Sequence, residues 1–258
     1  MLTAITRGVS PAIAECELTF LERLPIDFRK ATEQHRDYEL LLTLLGVRVV
    51  SLPAEPRLPD SVFVEDTALV LDEVAVVFPM GAASRRRETI SMSEVLLRYR
   101  PIENIVLPGT VEGGDILRIG RKLFVGLSRR TNEEGIRQLS AIAARHGYEV
   151  TPAPVTGCLH LKSACTYLGK NTLLGNRAWM DVSPFDGYEW IDVPAEEPAA
   201  ANTLAVGGKV ILPESYPHTR SLLEERGFAV VSLDISELQK AEGGLTCSSL
   251  LFEEEYEE

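Results

Sequence analysis

The sequence predicts a five-bladed α/β propeller: a ring of ββαβ repeats with pseudo-fivefold symmetry, closed by pairing strands from the two ends of the chain. Three observations lead there. Paired apolar runs separated by turn residues recur four times along the 258 residues. Helical periodicity and one more strand follow these pairs, most weakly in the third. A fifth unit is incomplete at both ends of the chain, and it completes only if residues 248–252 pair with residues 2–6. Internal repeats with a period of tens of residues indicate propellers or solenoids, and a repeat that needs both termini indicates a ring. Strand and helix alternation alone would also fit an open doubly wound sheet, so the split unit carries the choice.

In chain order, residues 28–45 read as the helix of the split unit and 47–52 as its last strand. In the next unit, residues 67–71 and 74–78 form a hairpin across Asp72-Glu73, with a helix over 91–99 and a strand over 104–107. Residues 115–119 and 123–127 pair across Gly120-Arg121-Lys122. Asn132 then caps a helix that runs to His146 and stops at Gly147, and 148–150 extend. Residues 165–168 and 172–174 form a third hairpin around Gly169-Lys170-Asn171; no clear helix separates it from the strand 190–193. Residues 202–206 and 209–212 pair across Gly207-Gly208, a strong hairpin signal. A helix over 219–226, a Gly227 stop and a strand over 229–233 complete that unit. The whole chain, 1–258, reads as one domain, with the acidic residues 253–258 as a solvated, disordered tail.

Composition narrows the function. There are 38 acidic against 26 basic residues, a net charge of −12, which argues against nucleic acid and anionic membranes and suits a small cationic substrate. The cysteines, Cys16, Cys158, Cys165 and Cys247, have no Cys-x-x-Cys spacing and form no metal pattern. They read as reduced thiols in a cytoplasmic protein. No charged and apolar signal segment opens the chain, and Arg48 interrupts the longest apolar run. No metal and no cofactor are expected. Oligomeric state stays open, a homodimer included.

Chemistry-bearing residues cluster just before the first strand of each hairpin. These stretches are Pro59-Asp60-Ser61-Val62-Phe63-Val64-Glu65-Asp66, Pro108-Gly109-Thr110-Val111-Glu112-Gly113-Gly114-Asp115, Cys158-Leu159-His160-Leu161-Lys162-Ser163, and Gly243-Gly244-Leu245-Thr246-Cys247. The fourth unit offers only Ala199-Ala200-Ala201, chemically silent. Equivalent positions of a ring face one axis, so Cys247, His160, Glu112 and the Glu65-Asp66 pair should meet at one mouth. A thiol needs thiolate character to attack, a histidine moves protons near neutral pH, and Glu112 beside it would orient the ring. Carboxylates at 60, 65 and 66 suit a guanidinium, which they can bind in bidentate fashion. Taken singly, Cys247 would read as a buried core thiol and His160 as a satisfied core histidine. His35 and His146 read as surface or cap residues and His218 as a loop residue. Cys158, two residues from His160, shares its side and stays open as a second thiol. Ser84-Arg85-Arg86-Arg87 and Ser128-Arg129-Arg130-Thr131-Asn132 both fall between hairpin and helix, next to a helix N-terminus, where a substrate carboxylate could bind.

Together these stretches, with Arg57-Leu58 before the first, resemble the dimethylarginine dimethylaminohydrolase family of the guanidino-group-modifying, or pentein, superfamily. The similarity runs from near residue 1 to about residue 252, in order and with compatible spacing. It implies Cys247 as nucleophile, His160 as general acid and base, and Glu112 as support for His160. It further implies that Glu65 and Asp66 grip the guanidinium, Arg85 and Arg130 bind the α-carboxylate, and Asp60 binds the α-amino group. Leu18 falls in the loop that acts as a lid in the family, and the Ala241 carbonyl faces the amino group. The reaction implied is hydrolysis of N-methylated L-arginines to citrulline through a thiouronium adduct. Arginine deiminases and amidinotransferases share this chemistry but run to longer chains with inserted segments. A non-catalytic guanidino-compound binder would keep the arginines and carboxylates but could lose Cys247 or His160; both are here.

Overall fold

The computed structural model describes residues 1–254, so residues 255–258 of the expected acidic tail lie outside the described residues. The rest of that tail is not idle. Glu253 ends a strand, and the Glu254 carboxylate accepts hydrogen bonds from Thr3 (2.9 Å) and Arg48 (2.7 Å).

The chain opens with β1 (Leu2–Arg7), α1 (Phe28–Leu44) and β2 (Arg48–Leu52). Asp27 caps α1 by accepting from the Arg29 and Lys30 N–H groups. The next unit is β3 (Ala68–Val70), β4 (Ala75–Val77), α2 (Glu88–Leu96) and β5 (Ile102–Asn104). Here the sequence reading was displaced by a few residues. A 3-10 turn, Ala83–Arg87, runs directly into α2, so the helix starts earlier, and Ile102 rather than Asn104 opens the last strand. Then come β6 (Ile116–Ile119), β7 (Lys122–Leu127), α3 (Glu133–Arg145) capped by Asn132, and β8 (Glu149–Pro154). The third unit is α4 (Leu161–Ala164), β9 (Cys165–Gly169), β10 (Thr172–Gly175) and β11 (Glu189–Asp192); only short 3-10 turns separate its last two strands. The fourth is β12 (Leu204–Val206), β13 (Lys209–Pro213), α5 (Pro217–Glu225) and β14 (Val230–Leu233), and α6 (Ser236–Gln239) leads to β15 (Leu250–Glu253).

These strands form five three-stranded sheets with one pattern: the first strand is antiparallel to the second, and the second is parallel to the third. In the split sheet β15 pairs antiparallel with β1, from Leu2↔Glu253 to Ile5↔Leu250, and β1 runs parallel to β2. The termini therefore complete one blade, as the split repeat requires.

Five apolar clusters join neighbouring blades around the ring. Ile5, Leu250 and Phe252 pack with Val64, Val70 and Val77; Val74 and Val76 pack with Ile116 and Leu123. Leu117 and Phe124 meet Cys165 and Leu173, and Leu168 and Leu174 meet Val210. Leu204 and Ile211 close the circle against Ala4, Tyr38 and Leu42. Burying this apolar surface between blades is what holds the ring shut. His35, expected at the surface, is buried on the inner side of α1, and His218 is the second residue of α5 rather than a loop residue. His146 caps the C-terminal end of α3, as its position suggested.

Candidate active site

Four blades carry a short helical turn immediately before their first strand. Val64–Thr67 holds Glu65 and Asp66. Gly113–Asp115 follows Glu112, α4 follows His160, and Thr246–Ser248 holds Cys247. Because the turns are equivalent around the ring, they converge on its axis. Cys247, His160, Asp66, Asp60, Arg85, Arg130 and Ala241 all line one small cavity of about 20 Å³.

His160 and Glu112 form the most closely defined pair. Nε2 of the buried His160 is 2.7 Å from a Glu112 carboxylate oxygen, and Glu112 has no exposed surface. Gly114 makes room for the ring: a Cβ there would lie 2.6 Å from His160 Nδ1. The other Glu112 oxygen accepts from the Ala82 N–H (3.2 Å) and from Arg130 (3.3 Å). Burial alone would lower the His160 imidazole, but Asp66, hydrogen-bonded Glu112 and Asp115 outweigh it and raise it to about 9. Burial likewise opposes ionisation of Glu112, yet His160, Arg85 and Arg130 hold its carboxyl well below the usual carboxylate range. Cys247 Sγ accepts from the Gly244 N–H (3.3 Å). Burial, with Glu65 and Asp66 nearby, pushes its thiol up to about 12. At neutral pH the resting site therefore holds a neutral thiol beside a protonated histidine.

The arginines differ in their free capacity. Arg85 donates through Nε and Nη2 to both oxygens of the buried Glu88 (3.1 and 2.9 Å) and through Nη1 to Asp66 (2.8 Å). Nη2 also reaches the Asp60 and Phe63 carbonyls (3.4 and 3.3 Å). With five N–H donors on a guanidinium, Arg85 keeps about one for a ligand. Among the described residues the Arg130 side chain donates only to Glu112 and to the Thr19 hydroxyl (3.0 Å), so it holds the larger reserve. Asp66, Glu112 and His160 each present a ligand-type atom within 4.8 Å of one another, but all three are already engaged with Arg85, Arg130, each other or the Gly114 N–H (3.0 Å).

Two expected site residues point elsewhere. Glu65 is not in the cavity lining; its carboxylate is held by Lys162 and by the Thr246 hydroxyl (2.8 Å) and borders a second cavity of about 300 Å³. Leu18 packs against the apolar cluster between the fourth and fifth blades, and its neighbours Glu17 and Thr19 make the polar contacts. Cys158 lines a neighbouring cavity of about 380 Å³ and donates to the His160 carbonyl (3.2 Å). The fourth blade is not silent. Asn202, just past its alanines, accepts from the Thr246 N–H (3.1 Å) and donates to the Lys162 carbonyl (3.1 Å), tying the Cys247 turn to the His160 turn.

Sequence reasoning missed several groups. Phe63 and Leu159 supply apolar wall to the Cys247 cavity, and Glu88 anchors Arg85. Phe63 had a visible signal, since it stands two residues before Glu65; Glu88 also had one, its i,i+3 spacing from Arg85, which the helical turn makes into an ion pair. Just before Cys247 two backbone demands fall on different residues. The left-handed residue is Glu242 (φ 57°), whereas Gly243 is needed for close approach, since a Cβ there would meet the Phe63 ring at 2.3 Å.

The chain has recognisable relatives among known proteins. Residues 23–173 match the family model described as N,N dimethylarginine dimethylhydrolase, eukaryotic. The chain is 41% identical over 228 residues to the N(G),N(G)-dimethylarginine dimethylaminohydrolase of Pseudomonas aeruginosa, covering 88% of this chain and 90% of the relative. It is 38% identical over 257 residues to the protein of that name from Streptomyces coelicolor, covering 98% of each. A solved structure of the Pseudomonas aeruginosa protein, a cysteine-to-serine mutant complexed with citrulline, superposes with a TM-score of 0.92 at 38% identity, over 97% of this chain and 98% of that one. A matched family model over more than half the chain, near full-length relatives and a shared ring of blades lead to one conclusion: the chain belongs to the dimethylarginine dimethylaminohydrolase family.

Proposed function

We propose that the protein hydrolyses N-methylated L-arginines, converting dimethylarginine to citrulline and dimethylamine, and monomethylarginine to citrulline and methylamine. The observation that carries this is the shared cavity of Cys247, His160, Asp66, Asp60, Arg85 and Arg130. The whole ring acts as one domain, because every blade except the fourth contributes a site residue and the fourth braces two of them. Citrulline, the molecule held by the Pseudomonas aeruginosa mutant, is the product this chemistry gives.

The resting thiol, pushed up to about 12, is inert near neutrality. A guanidinium set against Asp66 brings positive charge beside it, cancels the carboxylate field and lets the thiol release its proton to solvent. The thiolate adds to the guanidinium carbon. His160, protonated below about 9, gives its proton to the dimethylamino nitrogen, and the C–N bond breaks with loss of dimethylamine. With Nε2 on Glu112, Nδ1 is the ring nitrogen left for this transfer. Neutral His160 then takes one proton from water as the oxygen adds to the thiouronium carbon. The C–S bond breaks to return the thiolate, and the hydroxyl's remaining proton leaves as the ureido carbonyl forms, which balances the proton that restores the Cys247 thiol. Phe63 and Leu159 give the cavity apolar surface where methyl groups are better accommodated than hydrated N–H groups. The unpaired cysteines among the described residues support a reducing, cytoplasmic setting; no helix of the described residues is long and apolar enough to cross a membrane.

The test is a product assay with dimethylarginine, monomethylarginine and arginine, separating dimethylamine, methylamine and ammonia. The reading expects dimethylamine to be released fastest. Faster ammonia release from arginine would replace the substrate while leaving the Cys247 chemistry in place. A second test concerns the carboxylate. Arg130→Ala should raise KM for dimethylarginine by about 30-fold or more, since truncating one partner of a buried charge pair costs about 2–5 kcal/mol. Substrate amidated at that carboxylate should change little. Equal losses on both substrates would mean that Arg130 serves only to brace Glu112.

A further inference from the structure

The Cys247 cavity has room for about one water molecule, so an amino acid enters only if part of its wall moves. The wall most visibly added to the ring is the strap of residues 17–21, between β1 and α1. Its contacts are unusual in kind. The Glu17 N–H lies 3.2 Å from both carboxylate oxygens of Asp60, and the Thr19 hydroxyl accepts from Arg130 (3.0 Å). Ser84 donates to the Glu17 carboxylate. The strap thus occupies two of the groups assigned above to the amino and carboxylate ends of the substrate.

One side chain fastens the strap from the opposite side. The Glu242 carboxylate accepts from three consecutive backbone N–H groups: Thr19 (2.9 Å), Phe20 (2.5 Å) and Leu21 (2.6 Å). Successive N–H groups converging on one anion form a concave binding nest, and bonds to an ionised acceptor are the stronger kind. Glu242 achieves this from a left-handed backbone position (φ 57°) that a residue with a side chain seldom adopts. It stands between Ala241, which lines the Cys247 cavity, and Gly243-Gly244, which lead to Cys247. Its side chain borders both that cavity and the larger one beside it, where Phe20 and Leu21 form part of the wall.

We propose that Glu242 is the latch of this strap: a positioning residue that holds residues 17–21 closed over Cys247 and that must release them before substrate can reach Asp60 and Arg130. The proposal rests on the functional reading only for the identity of the incoming molecule. Substrate then replaces the strap's own contacts, its ammonium taking the place of the Glu17 N–H on Asp60 and its carboxylate that of the Thr19 hydroxyl on Arg130.

The test compares the full chain with Glu242→Gln and Glu242→Ala. Hydrogen exchange is read at the amides of 19–21, and the rate of Cys247 alkylation by iodoacetamide is read by peptide mass at one pH. The latch expects exchange at those three amides to accelerate at least tenfold in Glu242→Ala and less in Glu242→Gln, with amides of α1 and the blades unchanged. Cys247 alkylation should accelerate in the same order, with Cys165 unaffected. Unchanged exchange at 19–21 in Glu242→Ala would overturn it. If the alanine variant exchanges throughout, Glu242→Gln decides: acceleration confined to 19–21 supports the latch, and none overturns it. Neither readout needs turnover, so a protein with an intact latch but no dimethylamine release would sink the functional reading alone.

Discussion

Cys247→Ser is expected to bind dimethylarginine with an affinity within about threefold of the parent while kcat falls by about 10³-fold or more, on the order of 4 kcal/mol of transition-state stabilisation. The environment explains the size. Burial and the carboxylates of Glu65 and Asp66 already hold the thiol up to about 12, and a bound guanidinium has to overcome that. A hydroxyl starts far less acidic than a thiol, so the same cation leaves it protonated and non-nucleophilic. The binding groups Asp60, Arg85 and Arg130 do not touch Sγ among the hydrogen bonds of the site and should be unaffected. Cys158→Ser is the control. Its thiol donates to the His160 carbonyl and faces the neighbouring cavity, so activity should stay within about threefold. Retained turnover in Cys247→Ser with loss in Cys158→Ser would mean that the wrong thiol has been assigned.

The ring was legible in the sequence because its repeat is written in local chemistry. Gly-Gly and Asp-Glu turns set the hairpins, and periodicity set α1 and α3. The unpaired apolar run before Glu253 had only β1 to complete its blade, and the register Leu2↔Glu253 to Ile5↔Leu250 bears that out. The third blade was weak for a physical reason: it contains no crossover helix between β10 and β11, only 3-10 turns packed by Phe185 and Trp190. The convergence of Cys247, His160, Glu112 and Asp66 was legible because all four sit at equivalent ends of the repeat. Side-chain direction was not. Glu65 and Asp66 are adjacent, yet one turns to Lys162 and the other to Arg85, a choice made by residues about a hundred and about twenty positions away. Glu242 escaped notice for the same reason. Nothing near it in sequence announces that its partners are the backbone amides of Thr19, Phe20 and Leu21.

Glu112→Gln should separate orientation from charge in the His160 pair. The carboxamide can still accept one hydrogen bond from the ring, so the geometry survives, but the negative charge that faces both His160 and Arg130 is gone. Three consequences follow. Leaving the buried Arg130 guanidinium without its carboxylate costs about 3 kcal/mol or more, a fall in Tm of about 6–12 °C for a chain of this size. Activity should drop by about 10²-fold, because His160 loses the anion that stabilises its protonated form. The third consequence is a shift in pH dependence. In the parent, His160 must be protonated to release the amine, so kcat/KM, which reports the free enzyme, should fall as pH rises through about 9. Removing the carboxylate makes the imidazolium easier to deprotonate, so the alkaline limb should move to lower pH by about one unit or more. Stability should move with it. A histidine whose folded value is raised above 6.5 stabilises fully below that value and loses the contribution as pH rises through the folded value. The variant should therefore lose stability at a lower pH than the parent. A pH series of kcat/KM and Tm for the two proteins reads both effects. An alkaline limb that stays near 9 in Glu112→Gln would mean that Asp66 and Asp115, and not Glu112, hold the proton on His160.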